Sequence, residues 1–244
     1  QPPGTPVPPA VVDAAGRIRP LAIRLAGTIR SAAGAVTSRV EVRILVEPAT
    51  LDGRDAWRVV STQRNDAKPG QLVDSALVAR SDLHLLRYVV HEAPYRSFSR
   101  ISVSQRLDGA RLTGEMFAER AGQVVAHRTF DRRLPAESGP FVPGSLAQLF
   151  LMGVSLRPGW SGSLSLLGWA VRDDNVFVPI RMRVVGEETI RVPAGEFPCW
   201  RMVLEHSGRR QHYWVRQRDG LGVRLIDSTD TRINGVREVV LLED

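Results

Sequence analysis

The sequence predicts a mainly β protein: one large, curved antiparallel sheet, a half-barrel or roll, with one short apolar helix near residues 145–152. Three observations predict it. Beyond residue 18 the dominant hydrophobic period is two, the signature of strands with one buried and one solvated face. Turn-forming pairs recur at short intervals, as they do where strands follow one another directly. A single segment departs from this pattern, and its apolar residues follow a helical spacing.

Residues 1–18 read as a flexible tail, because five of the first ten are proline (QPPGTPVPPA). The chain opens on Gln1, and this proline-rich start is expected to be a mature N-terminus left after removal of a signal peptide. Residues 19–244 then form one antiparallel domain. Thr37–Val46 puts Val40, Val42, Ile44 and Val46 on one face, and Phe177–Val185 does the same with Val178, Ile180, Met182 and Val184. Trp200, Met202 and Leu204 alternate, as do Val223 and Leu225. Turns are expected at Asp52-Gly53, Pro69-Gly70, Asp108-Gly109, Ala121-Gly122, Ser207-Gly208, Asp219-Gly220 and Asn234-Gly235. Asp108-Gly109 and Asn234-Gly235 suit tight hairpins in which both central residues take positive φ. Ser145 caps the expected helix, and Leu146, Leu149 and Phe150 supply its i, i+3, i+4 stripe. So apolar a helix must bury against the concave side of the sheet. The strands resume in the same style beyond Pro135–Pro143, so the chain reads as one domain.

Composition excludes several classes. At 43% hydrophobic and 24% charged residues the chain cannot be wholly disordered. No apolar run approaches the roughly 18 residues of a membrane helix. The net charge is +7, with one lysine against 32 arginines, and the surplus is divided between residues 1–50 and 96–133. The arginines alternate with apolar residues, as in Val40-Glu41-Val42-Arg43, which is how a solvated strand face reads. Nucleic-acid binding is not expected, because no dense basic tract interleaved with aromatics exists. Cys199 is the only cysteine, so no internal disulfide or cysteine metal cluster can form, and it reads as a small buried hydrophobe.

Catalytic motifs are weak. Gly159-Trp160-Ser161-Gly162-Ser163 is out of register for a nucleophile elbow, and reads as a turn after Arg157-Pro158. His91-Glu92 lacks a second histidine four residues on. Asp227-Ser228-Thr229 lacks the glycine and the second copy of an aspartic-protease site, and reads as a strand end and turn. The best metal candidate is Glu205, His206 and His212, which flank the Ser207-Gly208 turn and could converge across a hairpin. No cofactor is expected. The aromatic and long apolar residues are better placed to line a ligand cavity: Leu146, Leu149, Phe150, Trp169, Met182, Trp200 and Trp214 are the candidates, the two last lying on consecutive strands.

The run from Val184 to Arg201, V-x-G-x-E-x-I-x-V-P-A-G-x-F-x-x-W-R, resembles an exported bacterial family catalogued only as a domain of unknown function (number three-one-zero-eight). Asp74-Ser75, Arg80-Ser81-Asp82-Leu83-His84-Leu85 and Tyr213-Trp214-Val215 fit the same pattern, as does the apolar helix with Leu156-Arg157-Pro158-Gly159. The resemblance spans roughly residues 37–244. It implies a periplasmic or otherwise extracytoplasmic protein whose curved sheet is similar to that of the LolA- and LolB-type lipoprotein-localisation carriers, which wrap a half-barrel around a helix and shelter acyl chains. The family has no established activity.

Three functions follow as expectations. The first is a non-catalytic envelope protein that holds an apolar ligand or a lipid-modified protein's acyl chain in its concavity, with Arg96, Arg100, Arg128, Arg132 and Arg133 as a basic rim for anionic head groups. On this reading Phe150→Asp lowers ligand capture while the fold survives. The second is an envelope hydrolase working through Glu205, His206 and His212. The third is an interaction module that adds a partner's strand to a sheet edge.

Overall fold

In a computed structural model of the chain, residues 17–95, 98–135, 141–143, 147–167, 177–229 and 235–243 are described. The first half is a run of hairpins: β1 (Leu21–Ser31), β2 (Val36–Leu51), β3 (Arg54–Asn65), β4 (Lys68–Ala79), β5 (Leu85–Tyr95), β6 (Phe98–Asp108), β7 (Arg111–Arg120) and β8 (Gln123–Arg133). A short β9 (Phe141–Pro143) and the helix α1 (Ala147–Met152) come next. The second run is β10 (Ser161–Leu167), β11 (Phe177–Val192), β12 (Gly195–His206), β13 (Arg209–Arg216), β14 (Gly222–Asp227) and β15 (Gly235–Glu243).

All of these strands belong to one open sheet in the order β8-β7-β6-β5-β4-β3-β2-β1-β15-β14-β13-β12-β11-β10-β9. Fourteen strands pair antiparallel, and β9 lies parallel to β10 at one edge. Each hairpin forms from neighbours in sequence. The two runs are joined by one long-range pairing, Leu25↔Leu241 through Ser31↔Gly235 between the first and last strands. Among the described residues no helix is long and apolar enough to cross a membrane.

The turn residues account for the hairpins. Asp52-Gly53, Ala121-Gly122 and Ser207-Gly208 each place both residues at positive φ, which matches the right-handed twist of the flanking strands. Two expected turns differ. The loop after β6 is Gly109-Ala110, closed by Asp108↔Arg111, and of these only Gly109 has positive φ. Pro69-Gly70 lies inside β4, and the turn is made by Asp66-Ala67 between the paired Asn65 and Lys68. The side chain of Asn65 holds that turn by accepting a hydrogen bond from the Ala67 N–H at 2.9 Å. Asn234 lies outside the described residues, as do the tail at 1–16 and the expected cap Ser145.

Strand parity assigns the faces. Ile23, Leu25, Ile44, Val46, Val59, Ala76 and Val78 are buried on the inner face of β1–β4. α1 is helical as its apolar spacing predicts, and Leu149, Phe150, Leu151 and Met152 are all buried. They join Ile101, Leu112 and Met116 of β6 and β7 in one cluster, together with Val142 of β9 and Ile18. The helix therefore fills part of the concavity, which satisfies its own apolar surface and that of the sheet.

Candidate ligand-binding cavity

A cavity of about 510 Å³ remains on the concave side. Its walls come from both runs of strands and from α1, so the sheet curls around it. Leu25, Val42, Ile44 and the adjoining Val239 line it together with Leu164 and Met182 of the second run, and Leu151 of the helix adds to the wall. The volume falls within the roughly 300–1,000 Å³ usual for small-molecule sites.

Polar side chains interrupt this apolar lining in two places. Asp74 of β4 stands opposite Ser61 of β3, and accepts a hydrogen bond from the Tyr88 hydroxyl at 3.0 Å. On the other wall, Arg209 and Gln211 of β13 and Arg237 of β15 line the cavity around the end of β14. There Asp227, with 0% exposure, accepts hydrogen bonds from Arg209 and from Gln211 Nε2 (2.9 Å) and Thr229 N (3.1 Å). Arg237 is its cross-strand partner. Burial is the largest influence on this carboxyl and pushes its pKa up. The hydrogen bonds from Gln211, Thr229 and Arg209 outweigh it, so Asp227 titrates below the ordinary 3.8 and is ionised at neutral pH.

The candidate residues separate. Met182 lines the cavity, directly opposite Leu204. Leu149 and Phe150 are core residues, and the helix presents Ala147 and Leu151 to the cavity instead. Trp200 lines a second, neighbouring cleft. Trp214 belongs to the opposite face: its indole N–H donates to Glu188 Oε2 at 2.8 Å, and the Arg224 guanidinium lies 5.2 Å from its ring centroid. Leu146 and Trp169 fall outside the described residues, as does Arg96. The other rim arginines do not form one rim. Arg128 and Arg132 lie opposite the inward Met116 and Leu112, whereas Arg133 takes the other parity and Arg100 packs over the outward Phe117.

Glu205, His206 and His212 do not converge. His206 pairs with Arg209 and lines the cavity. Glu205, its chain neighbour, points to the other face and pairs with Arg210 (3.7 Å) and Arg183 (3.9 Å). His212 shares that outer face, beside Trp214. Consecutive strand residues point to opposite sides of a sheet, and this prevents the three from sharing an ion. Among the described residues no three His, Cys, Asp or Glu side chains are grouped to hold a metal.

Cys199 is 0% exposed, and its thiol donates to the Phe197 carbonyl at 3.4 Å. Burial pushes the thiol up to about 11, so it stays protonated at neutral pH. Native protein mixed with a chromogenic disulfide reagent at pH 8 is expected to release less than a tenth of the colour seen after denaturation. Stoichiometric release from folded protein would refute the buried thiol.

No family model matches the chain. No curated protein matches it. The resemblance of the 184–201 stretch thus remains one of local motif, and structurally that motif is the β11–β12 hairpin, with Pro193-Ala194 as its loop and Gly195 at φ +138°. One similar solved structure is that of a Bacteroides fragilis protein of YmcC-like fold, taken to be exported. The likeness covers 96% of this chain and 98% of that one, at 13% identity and a TM-score of 0.31. At that score the two sheets superpose only loosely.

Asp74, Arg209, Gln211, Asp227 and Arg237 are the site residues missed by reading motifs. A signal for one of them existed. Asp74 interrupts the apolar series Leu72, Ala76, Val78. A polar residue at an inward position of a strand is costly unless partnered, and so marks a built polar site.

Proposed function

We propose that this is an exported envelope protein that acts without catalysis, binding an apolar or amphipathic molecule, a lipid or a lipoprotein acyl chain, between the sheet and α1. The observation that carries this reading is the 510 Å³ cavity, because a well-packed core leaves few voids larger than a water molecule. An alkyl chain moved from water into that lining gains about 0.8 kcal/mol per CH₂. The hydrolase reading loses its support, since its histidines and glutamate lie on two faces of the sheet.

Phe150→Asp is not the right test. At 1% exposure Phe150 is part of the core, and a charge there unfolds the chain. Val42 and Leu166 line the cavity and are only partly buried, so enlarging them fills space without removing core. Protein purified from a bacterial envelope is expected to yield a stoichiometric apolar molecule in organic extracts. The Val42→Phe/Leu166→Phe variant, with an unchanged circular dichroism spectrum, should yield at least tenfold less. Equal yields from both proteins, or no apolar molecule in either, would overturn the proposal.

A further inference from the structure

The second cleft, about 790 Å³, adjoins the cavity along the concave side. The contact between them can be followed on three elements. On β1 the inward neighbours Ile23 and Leu25 line the cleft and the cavity in turn. On α1 the division falls between Met152 and Leu151, and at the start of β14 it falls between Leu221 and Val223. Inward residues two apart on a strand are separated by only about 6–7 Å. The cleft and the cavity are therefore successive chambers of one concavity, with the last turn of α1 between them.

Their chemistry differs. Among the described residues, the cleft is lined by Arg17, Arg19, Arg216 and Arg218, with Asp219 as the one carboxylate. Asp219 takes a two-pronged bond from Arg216 at 2.8 and 2.6 Å and lies 3.5 Å from Arg218. Arg17 donates to the Ser155 hydroxyl at 2.7 Å, which ties the chain start to the segment after α1. Among the described lining residues, arginines outnumber carboxylates by four to one in a concave, solvent-open space. At the far end of the cavity Asp227 faces Arg209 within the protein. Arg17, Arg19 and Arg218 are exposed at the cleft, and guanidinium groups beside open space favour phosphate or carboxylate, which they bind with paired N–H donors.

We infer that the arginine-lined cleft binds the anionic head group, phosphate or carboxylate, of a single-chain amphiphile whose alkyl chain occupies the adjoining cavity. This rests on the cavity being a ligand site, as proposed above. Trp200 lines the cleft, and so its emission reports occupancy of the head-group chamber.

The test uses the full chain and three probes of equal chain length: decyl phosphate, decanoate and decanol, titrated calorimetrically and by tryptophan emission. Decyl phosphate or decanoate should bind at least tenfold more tightly than decanol in low salt. The ranking of these two acids separates a phosphate from a carboxylate site. Arg19→Glu/Arg218→Glu, both at exposed positions, should abolish the anionic preference and leave decanol affinity unchanged. Val42→Phe/Leu166→Phe should weaken all three. Equal affinities for all probes, or an anionic preference that survives the charge reversal, would overturn the head-group site and leave the cavity reading intact. If no probe binds, both fall together.

Discussion

Asp227→Asn is expected to destabilise the protein by about 3–5 kcal/mol, the cost of stranding one partner of a buried ion pair. Asp227 is completely buried, and the Arg209 side chain is only 18% exposed, so water replaces the lost carboxylate charge only in part. Gln211 and Thr229 lose a charged acceptor as well. At roughly 2–4 °C per kcal/mol for a chain of this size, the melting temperature should fall by about 10 °C. The pH dependence gives a sharper test. The folded state holds the Asp227 carboxyl below its ordinary 3.8, so its contribution is fully present above that value and is lost as pH falls through the folded pKa. Asp219, also held low against the opposing effect of burial by its bonds from Arg216 and Leu221, behaves in the same sense. The gap between wild type and Asp227→Asn, measured by urea unfolding, should therefore be constant from pH 7 to 5 and shrink below about pH 4. A gap that is absent at pH 7, or that widens in acid, would refute the ion-pair account.

Gly220→Ala is expected to cost about 2–4 kcal/mol, from two sources that act together. Gly220 sits at φ +76°, a conformation that an L side chain adopts only with strain. A Cβ there would also lie 2.6 Å from the Leu151 carbonyl oxygen and 2.7 Å from the Met152 Cα. Both atoms are backbone of the last turn of α1, so no rotamer change relieves the overlap. The helix must move from its seat beside the β13–β14 turn, and Leu151 and Met152, which separate the two chambers, move with it. Alanine at the open turn glycine Gly53, which also has positive φ but nothing within 4 Å of its Cβ, is the control. The Gly53→Ala loss should be limited to the backbone term of about 1–2 kcal/mol. Equal losses in thermal melts of the two variants would show that the helix is not held by this contact.

Much of the fold was legible because strands and tight turns are local. Alternation located β2, β11, β12 and β14, and the Asp52-Gly53, Ala121-Gly122 and Ser207-Gly208 pairs located hairpins. The faces of the two tryptophans were also within reach. A two-residue loop at Ser207-Gly208 pairs His206 with Arg209, so cross-strand partners have opposite parity, and the even-numbered Trp200 and Trp214 must lie on opposite faces. The same rule separates His206 from His212. Their proximity to one turn suggested convergence, and the pleat forbids it.

What the sequence by itself determined is the antiparallel β class, several of the strands with their turns, and the apolar helix. These follow from steric and solvation preferences acting over a few residues. Only the tertiary structure decided that the first strand pairs with the last, that Asp227 meets Arg209, and that Met182 and Trp200 line different chambers. Those contacts join residues far apart in the chain. They depend on how the sheet bends and on register shifts such as the one between Val184 and Gly186, which change facing without leaving a local sequence mark.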